Sequence, residues 1–259
     1  MADYIHGATR ETEIARLEKQ ARFVAPWSLA KFDAAPGMQV LDLGTGIGAM
    51  ARELSDRYPG IVLTGVDRSA AQLETARLRH PVANYVAADA TLLPFAAGTF
   101  DRVHASWLLE HVPEPAAVVA QVFRVLKPGG VAHFVEVDNE TLRTEPALAS
   151  VTELMRALND AQLVAGGDPY VGRRLGELFG NAGFSSVEIA APELLGDTND
   201  PAFYAAFVTE FAEIFESVRE TLGPAWNERI ATAISELNAL LGRAHSSMRY
   251  RPVVARAVR

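Results

Sequence analysis

The chain has 259 residues, 49% of them apolar, so one large domain with a substantial core is expected rather than a disordered chain. A formal charge of −8 argues against a nucleic-acid partner, and the arginines near the end (Arg249, Arg251, Arg256, Arg259) read as a solvated strand edge. Cysteine is absent, which removes disulfides, thiolate metal sites and thiol nucleophiles.

Residues 1–31 are charged and amphipathic, without the apolar centre of a signal peptide, and Ile14, Leu17, Ala21 and Val24 recur at helical spacing. No apolar run is long enough to span a membrane, so a cytoplasmic protein is expected. From Met38 onward, short apolar runs alternate with helical patterns. Strands are predicted at Gln39–Leu43, Val62–Val66, Ala83–Ala87, Arg102–Ala105, Val131–Val137 and Val187–Ala190, with a last one near Met248–Ala257. Helices are predicted at about 47–58, 69–80, 115–127 and 170–182, and Pro128-Gly129-Gly130 turns the chain back into a strand. Such alternation implies a parallel sheet with helices on both faces.

Besides the N-terminal helix, two segments exceed that plan. Glu145–Val164 is inserted after the fifth strand. A helical pair then begins at Asp200-Pro201, carrying Phe203, Phe207, Phe211 and Phe215 down one side, and resumes after Gly223-Pro224 with Trp226, Ile230, Ile234, Leu237 and Leu241. The phenylalanine stripe reads either as core packing or as a lid over a site, and one stripe can do both.

The chemistry concentrates at strand ends. Val40-Leu41-Asp42-Leu43-Gly44-Thr45-Gly46-Ile47-Gly48 is an apolar strand running into a glycine loop and then a helix, a turn that lets backbone approach a nucleoside. Such loops also serve NAD and FAD, and Gly44, Gly46 and Ala49 fit that pattern. Asp67 ends the second strand, where a carboxylate accepts from both ribose hydroxyls, and Asp89 ends the third, where an adenine amino group needs an acceptor. Alone, each acid could be a cap or turn residue; together with the glycine loop they face one crevice.

These motifs, with Phe100-Asp101 leading to Leu109-Glu110-His111-Val112 and then Arg124-Val125-Leu126-Lys127-Pro128-Gly129-Gly130, resemble the successive motifs of class I S-adenosylmethionine-dependent methyltransferases. The likeness covers about residues 38–138 and is nearest in style to the ubiquinone/menaquinone-biosynthesis enzymes of the small-molecule branch. It implies an α/β fold: a doubly wound, mostly parallel seven-stranded sheet of the Rossmann-like methyltransferase kind. An N-terminal helical flap (1–35) precedes the methyltransferase domain (36–259), which carries helical lid insertions at about 140–168 and 198–245.

The resemblance further implies S-adenosyl-L-methionine as cofactor and S-adenosyl-L-homocysteine as product. Gly44, Thr45 and Gly46 would lie against its methionine part, with Asp42 organising the loop. Asp67 would bind the ribose, Arg68 would flank the adenine, and Asp89 with the Ala90 amide would read its edge. Backbone at Ala105-Ser106 would accept from the amino group, and Tyr4 with the helix bearing Gln20 would form the covering flap. Methyl transfer is an in-line displacement that needs no metal and depends on alignment and exclusion of water.

The expected partner is a small-molecule acceptor, with no nucleic acid and no membrane; the sequence leaves oligomeric state open. His111 is the first candidate for a general base, against a packing role at a helix start. Glu136 and Asp138, on one face at the end of the fifth strand, could hold an amine or act as base. His133, earlier in the strand, is expected inside the sheet packing. A fold relative catalysing a rearrangement or cyclisation, a catalytically silent partner subunit and a dinucleotide oxidoreductase are the competing readings.

Overall fold

The structure, a computed structural model, describes residues 11–259. Helix α1 spans Glu11–Ser28. An alternating series follows: β1 (Gln39–Leu43), α2 (Ala49–Arg57), β2 (Val62–Asp67), α3 (Ala70–Arg79), β3 (Asn84–Ala87), β4 (Phe100–Ser106), α4 (Pro115–Val125) and β5 (Leu126–Glu136). The C-terminal part contributes β6 (Arg143–Glu145), α5 (Ala149–Val164), α6 (Leu175–Asn181), β7 (Ser186–Ala190) and β8 (Leu194–Asp197). It ends with α7 (Pro201–Ser217), α8 (Arg219–Leu222), α9 (Asn227–Ala239), β9 (Ser247–Tyr250) and β10 (Val253–Val258).

A seven-stranded sheet runs β3-β2-β1-β4-β5-β10-β7 and is parallel except for β10, which is antiparallel to both neighbours. This is the expected doubly wound sheet. Strand β1 lies inside it, between β2 and β4, with Val40, Leu41 and Leu43 fully buried, as a parallel strand covered on both faces requires. From β1 the chain winds outward to β3, then crosses back to β4 and β5. Strand order therefore reverses between β1 and β4, and open α/β sheets bind ligands at the carboxyl ends of strands at such a point. Local chemistry fixes the helix starts: Ser69 Oγ accepts the Gln72 N–H at 3.3 Å, and Asp200 Oδ1 accepts the Phe203 N–H at 3.0 Å ahead of α7.

The predicted last strand is in fact two. Pro252, which has no N–H to offer, divides β9 from β10, and the two halves belong to different sheets. Strand β9 lies between β6 and β8 in a small antiparallel sheet that no alternation in the sequence announced. This sheet and helices α5, α7 and α9 share a second core, including Leu154, Phe207, Phe215, Ile230 and Leu237, separate from the one between the large sheet and α4 and α6. The inserted helices thus form a self-supporting cap, and α1 packs between it and α2. Among the described residues no helix is long and apolar enough to cross a membrane.

Candidate active site

A cavity of about 1000 Å³ opens where strand order reverses, between the carboxyl ends of β1 to β4 and the helical cap. One end is polar backbone and carboxylates; the other is lined by Trp27, Met155, Leu158, Leu194, Phe207 and Phe211.

The glycine loop forms the polar floor. Gly44 and Gly46 hold φ of +75° and +53°, and a Cβ on them would meet Leu108 Cδ1 at 3.0 Å and Gln72 Oε1 at 2.9 Å. The loop is pinned from beneath: the N–H groups of Gly44 and Thr45 donate to Val66 O at 2.8 and 2.9 Å, and Thr45 Oγ1 donates to Asp42 Oδ2 at 2.6 Å. Asp42 is buried below the loop and does not line the cavity; its other oxygen lies 3.1 Å from His104 Nδ1.

Asp67 does line the cavity. Its Oδ2 accepts the Gly46 N–H and its Oδ1 the Ser69 N–H, both at 2.9 Å, leaving further lone pairs on each oxygen. Burial raises its carboxyl above the ordinary aspartate value, against the pull of these two N–H groups and Arg68. Asp89 is exposed at the cavity edge, and the Thr91 N–H (2.8 Å) and hydroxyl (2.7 Å) on its Oδ1 hold it below the usual range. Arg68 and Ala90 complete this rim.

From β4 the chain enters the cavity through Ser106 and Trp107. Trp107 has φ +51°, an uncommon conformation for a bulky residue, of the kind found at functional sites. The turn Leu109–His111 follows. His111 lines the cavity with Nε2 3.7 Å from Glu110 Oε1, and Glu110 itself lines it, 8% exposed, with Oε2 accepting from Gln162 Nε2 at 2.7 Å. Gln20 of α1 also reaches the cavity and donates to Glu210 Oε1 at 2.5 Å. Tyr4 lies outside the described residues.

Two expected site residues are elsewhere. Glu136 is wholly buried, and its Oε1 accepts the N–H groups of Leu108 (3.1 Å) and Leu109 (2.8 Å), so it braces the turn that delivers His111. Burial and the nearby Glu110 charge push its carboxyl well above the usual range, against the pull of these N–H groups. Asp138 is held by Arg173, at 2.8 Å to Oδ1 and 2.9 Å to Oδ2. Neither lines the cavity, so neither touches an acceptor there. Because glutamine keeps an acceptor oxygen for both N–H groups, Glu136→Gln should be tolerated within about 1 kcal/mol. Glu136→Ala, which strands two buried N–H groups and opens a void, should cost about 2–4 kcal/mol in urea unfolding.

The phenylalanine stripe divides: Phe207 and Phe211 face the cavity, whereas Phe203 stacks on Phe23 at 5.2 Å and Phe215 is buried in the cap's own core. Sequence reasoning passed over Glu110, Gln162 and Glu210. Glu110 stood beside His111 in a motif already quoted, and Glu210 is an acid on a phenylalanine-rich helix face, a pattern visible in the sequence.

With this geometry in place, comparison with known proteins gives a consistent result. The family described as "Methyltransferase domain" matches residues 41–134. A demethylmenaquinone methyltransferase of Renibacterium salmoninarum is 38% identical over 126 residues, 48% of this chain and 52% of that protein; the chain spans about half the length, or less, of the first curated relatives it matches. Among solved structures, a Haloferax volcanii protein in complex with the Trm112 methyltransferase activator superposes with a TM-score of 0.64 at 20% identity, covering 100% of this chain and 98% of that one. A phosphoethanolamine N-methyltransferase of Haemonchus contortus, with S-adenosylhomocysteine, gives 0.61 at 20% identity, covering 99% of this chain and 60% of that one. The glycine loop, the acids at successive strand ends and the Leu109–His111 turn all fall inside the matched stretch, and residues 41–134 are a methyltransferase domain similar to those of the ubiquinone/menaquinone-biosynthesis enzymes.

Proposed function

We propose that the chain is an S-adenosylmethionine-dependent methyltransferase acting on a small, largely apolar acceptor. The observation that carries this is a single cavity joining the Gly46–Asp67 floor to an apolar cap. The residues present fit the cofactor. Asp67 keeps free acceptor capacity on a carboxylate facing the cavity, and at Gly44 and Gly46 the neighbouring Leu108 and Gln72 side chains leave no room for a Cβ, so the floor is bare backbone. At about 1000 Å³ the space lies at the upper end of ligand sites, enough for cofactor and acceptor together.

Bound there, S-adenosylmethionine would supply an electrophilic methyl group on a sulfonium. Asp67 would hold the ribose hydroxyls, Asp89 and the Ala90 amide the adenine edge with Arg68 beside it, and the Gly44–Gly46 backbone the methionine part. The backbone at Ser106 would accept from the amino group, and Gln20 would close the flap side. The cap would shield the bound pair from water, and orientation in such a pocket is worth on the order of 7–11 kcal/mol of barrier. His111 stands at the cavity wall, where it would take the proton of an oxygen or nitrogen acceptor, a contribution of roughly 10²–10⁴-fold. Calorimetry and thermal shift should show micromolar binding of S-adenosylmethionine and S-adenosylhomocysteine and none of NADH; the reverse pattern would overturn the proposal.

A further inference from the structure

The cap end of the cavity holds a charged group that methyl transfer as described leaves unused. On α7, Phe207, Glu210, Phe211 and Ile214 follow the i, i+3, i+4, i+7 spacing of one helix face, and all four line the cavity. Periodicity there calls for an apolar side chain, yet the position holds a glutamate that is 5% exposed. Its Oε1 accepts from Gln20 Nε2 at 2.5 Å and lies 3.5 Å from Arg16 Nη1. Its Oε2 has no hydrogen-bond partner among the described residues. Leaving a buried acceptor unpaired is unfavourable, a penalty that a ligand donor would remove.

The surroundings select the donor. Arg16 is not committed to Glu210, since it donates to both oxygens of Glu13 at 2.9 and 2.7 Å, and Lys19 pairs with Glu213 at 2.7 Å. Among the described residues, five carboxylates and two guanidiniums line the cavity, an excess of negative charge. The rings of Trp27, Phe207 and Phe211 stand on the same wall, and aromatic faces attract cations.

We propose that Glu210 is a specificity residue of the acceptor site, binding through Oε2 the ammonium group of an otherwise apolar amine. The assignment rests on the methyltransferase reading only in calling this end the acceptor site. Burial, with Glu213 alongside, lifts the Glu210 carboxyl to about 7 against the opposing effects of Arg16, Gln20 and Lys19. Amine affinity should therefore rise as pH rises through about 7, where the carboxyl loses its proton.

The test uses the full chain saturated with S-adenosylhomocysteine and three probes of one shape: 4-phenylbutylamine, 4-phenylbutan-1-ol and butylbenzene. The amine should bind roughly ten- to a hundredfold tighter than the hydrocarbon and tighter than the alcohol. Glu210→Gln should erase the amine preference while S-adenosylhomocysteine affinity stays within about twofold, a change below 0.5 kcal/mol. Equal binding of the three probes, no binding of any, or an undiminished preference in the variant would overturn the proposal, and the probe comparison on the unaltered chain stands even if the variant fails to fold. Failure of S-adenosylhomocysteine to bind would instead sink the cofactor reading, and the same amine preference would then be expected of the chain without it.

Discussion

Asp67→Ala is expected to weaken S-adenosylmethionine and S-adenosylhomocysteine alike by at least roughly a hundredfold. A hydrogen bond to a charged group contributes about 1.5–3 kcal/mol, and the carboxylate would accept two from the ribose. The same carboxylate also takes the Gly46 and Ser69 N–H groups at 2.9 Å each, so its removal loosens the loop floor as well as the ribose contact. Asp67→Asn keeps the shape but not the charge and should fall between. Because burial raises the Asp67 carboxyl, affinity should fall on acidification at a pH above the ordinary aspartate value of 3.8. Calorimetry of both variants checks this; unchanged affinity in Asp67→Ala would remove the residue from the site.

The same residue shows why half of this protein was readable before its structure. Strand β1, its glycine loop and the acids after β2 and β3 form one local pattern each, and parallel winding places all of them at one edge without any long-range information. The alternation of apolar runs likewise located every strand of the large sheet. The small sheet escaped because β6 and β8 are three and four residues long, too short to show a period, and their pairing is set by β9, far away in sequence. Glu136 was misread for a related reason. Its place at a strand end suggested the crevice, but its side chain turns into the protein to brace Leu108 and Leu109. Sequence gives the strand end and not the direction in which a buried acid finds its donors. Glu210 was missed for the opposite reason: it interrupts a hydrophobic stripe, and the stripe was read while the interruption was passed over.

His133 carries the other large effect, on stability rather than binding. It sits in β5, wholly buried, with its ring 5.8 Å from His104 on one side and 5.6 Å from Phe32 on another. Neither ring nitrogen has a hydrogen-bond partner beyond the residue's own main chain among the described residues. Burial first, then the neighbouring His104 and Arg256, lowers its pKa to about 3 from 6.5. The sign follows directly: below pH 6.5 the unfolded chain takes up a proton that the folded chain refuses, so stability falls as the solution is acidified. The slope is about 1.36 kcal/mol per pH unit, roughly 3 kcal/mol by pH 4. His133→Leu should remove this part of the acid loss, and its stability curve should diverge from that of the unaltered chain between about pH 6.5 and 4. The variant should also equal or exceed the unaltered chain near pH 7.5, because two unpaired buried nitrogens are exchanged for apolar packing. His133 does not line the cavity, so S-adenosylhomocysteine affinity should stay put. Urea unfolding across that pH range decides it: parallel curves for the two proteins would mean that the folded chain protonates His133 as readily as the unfolded one does.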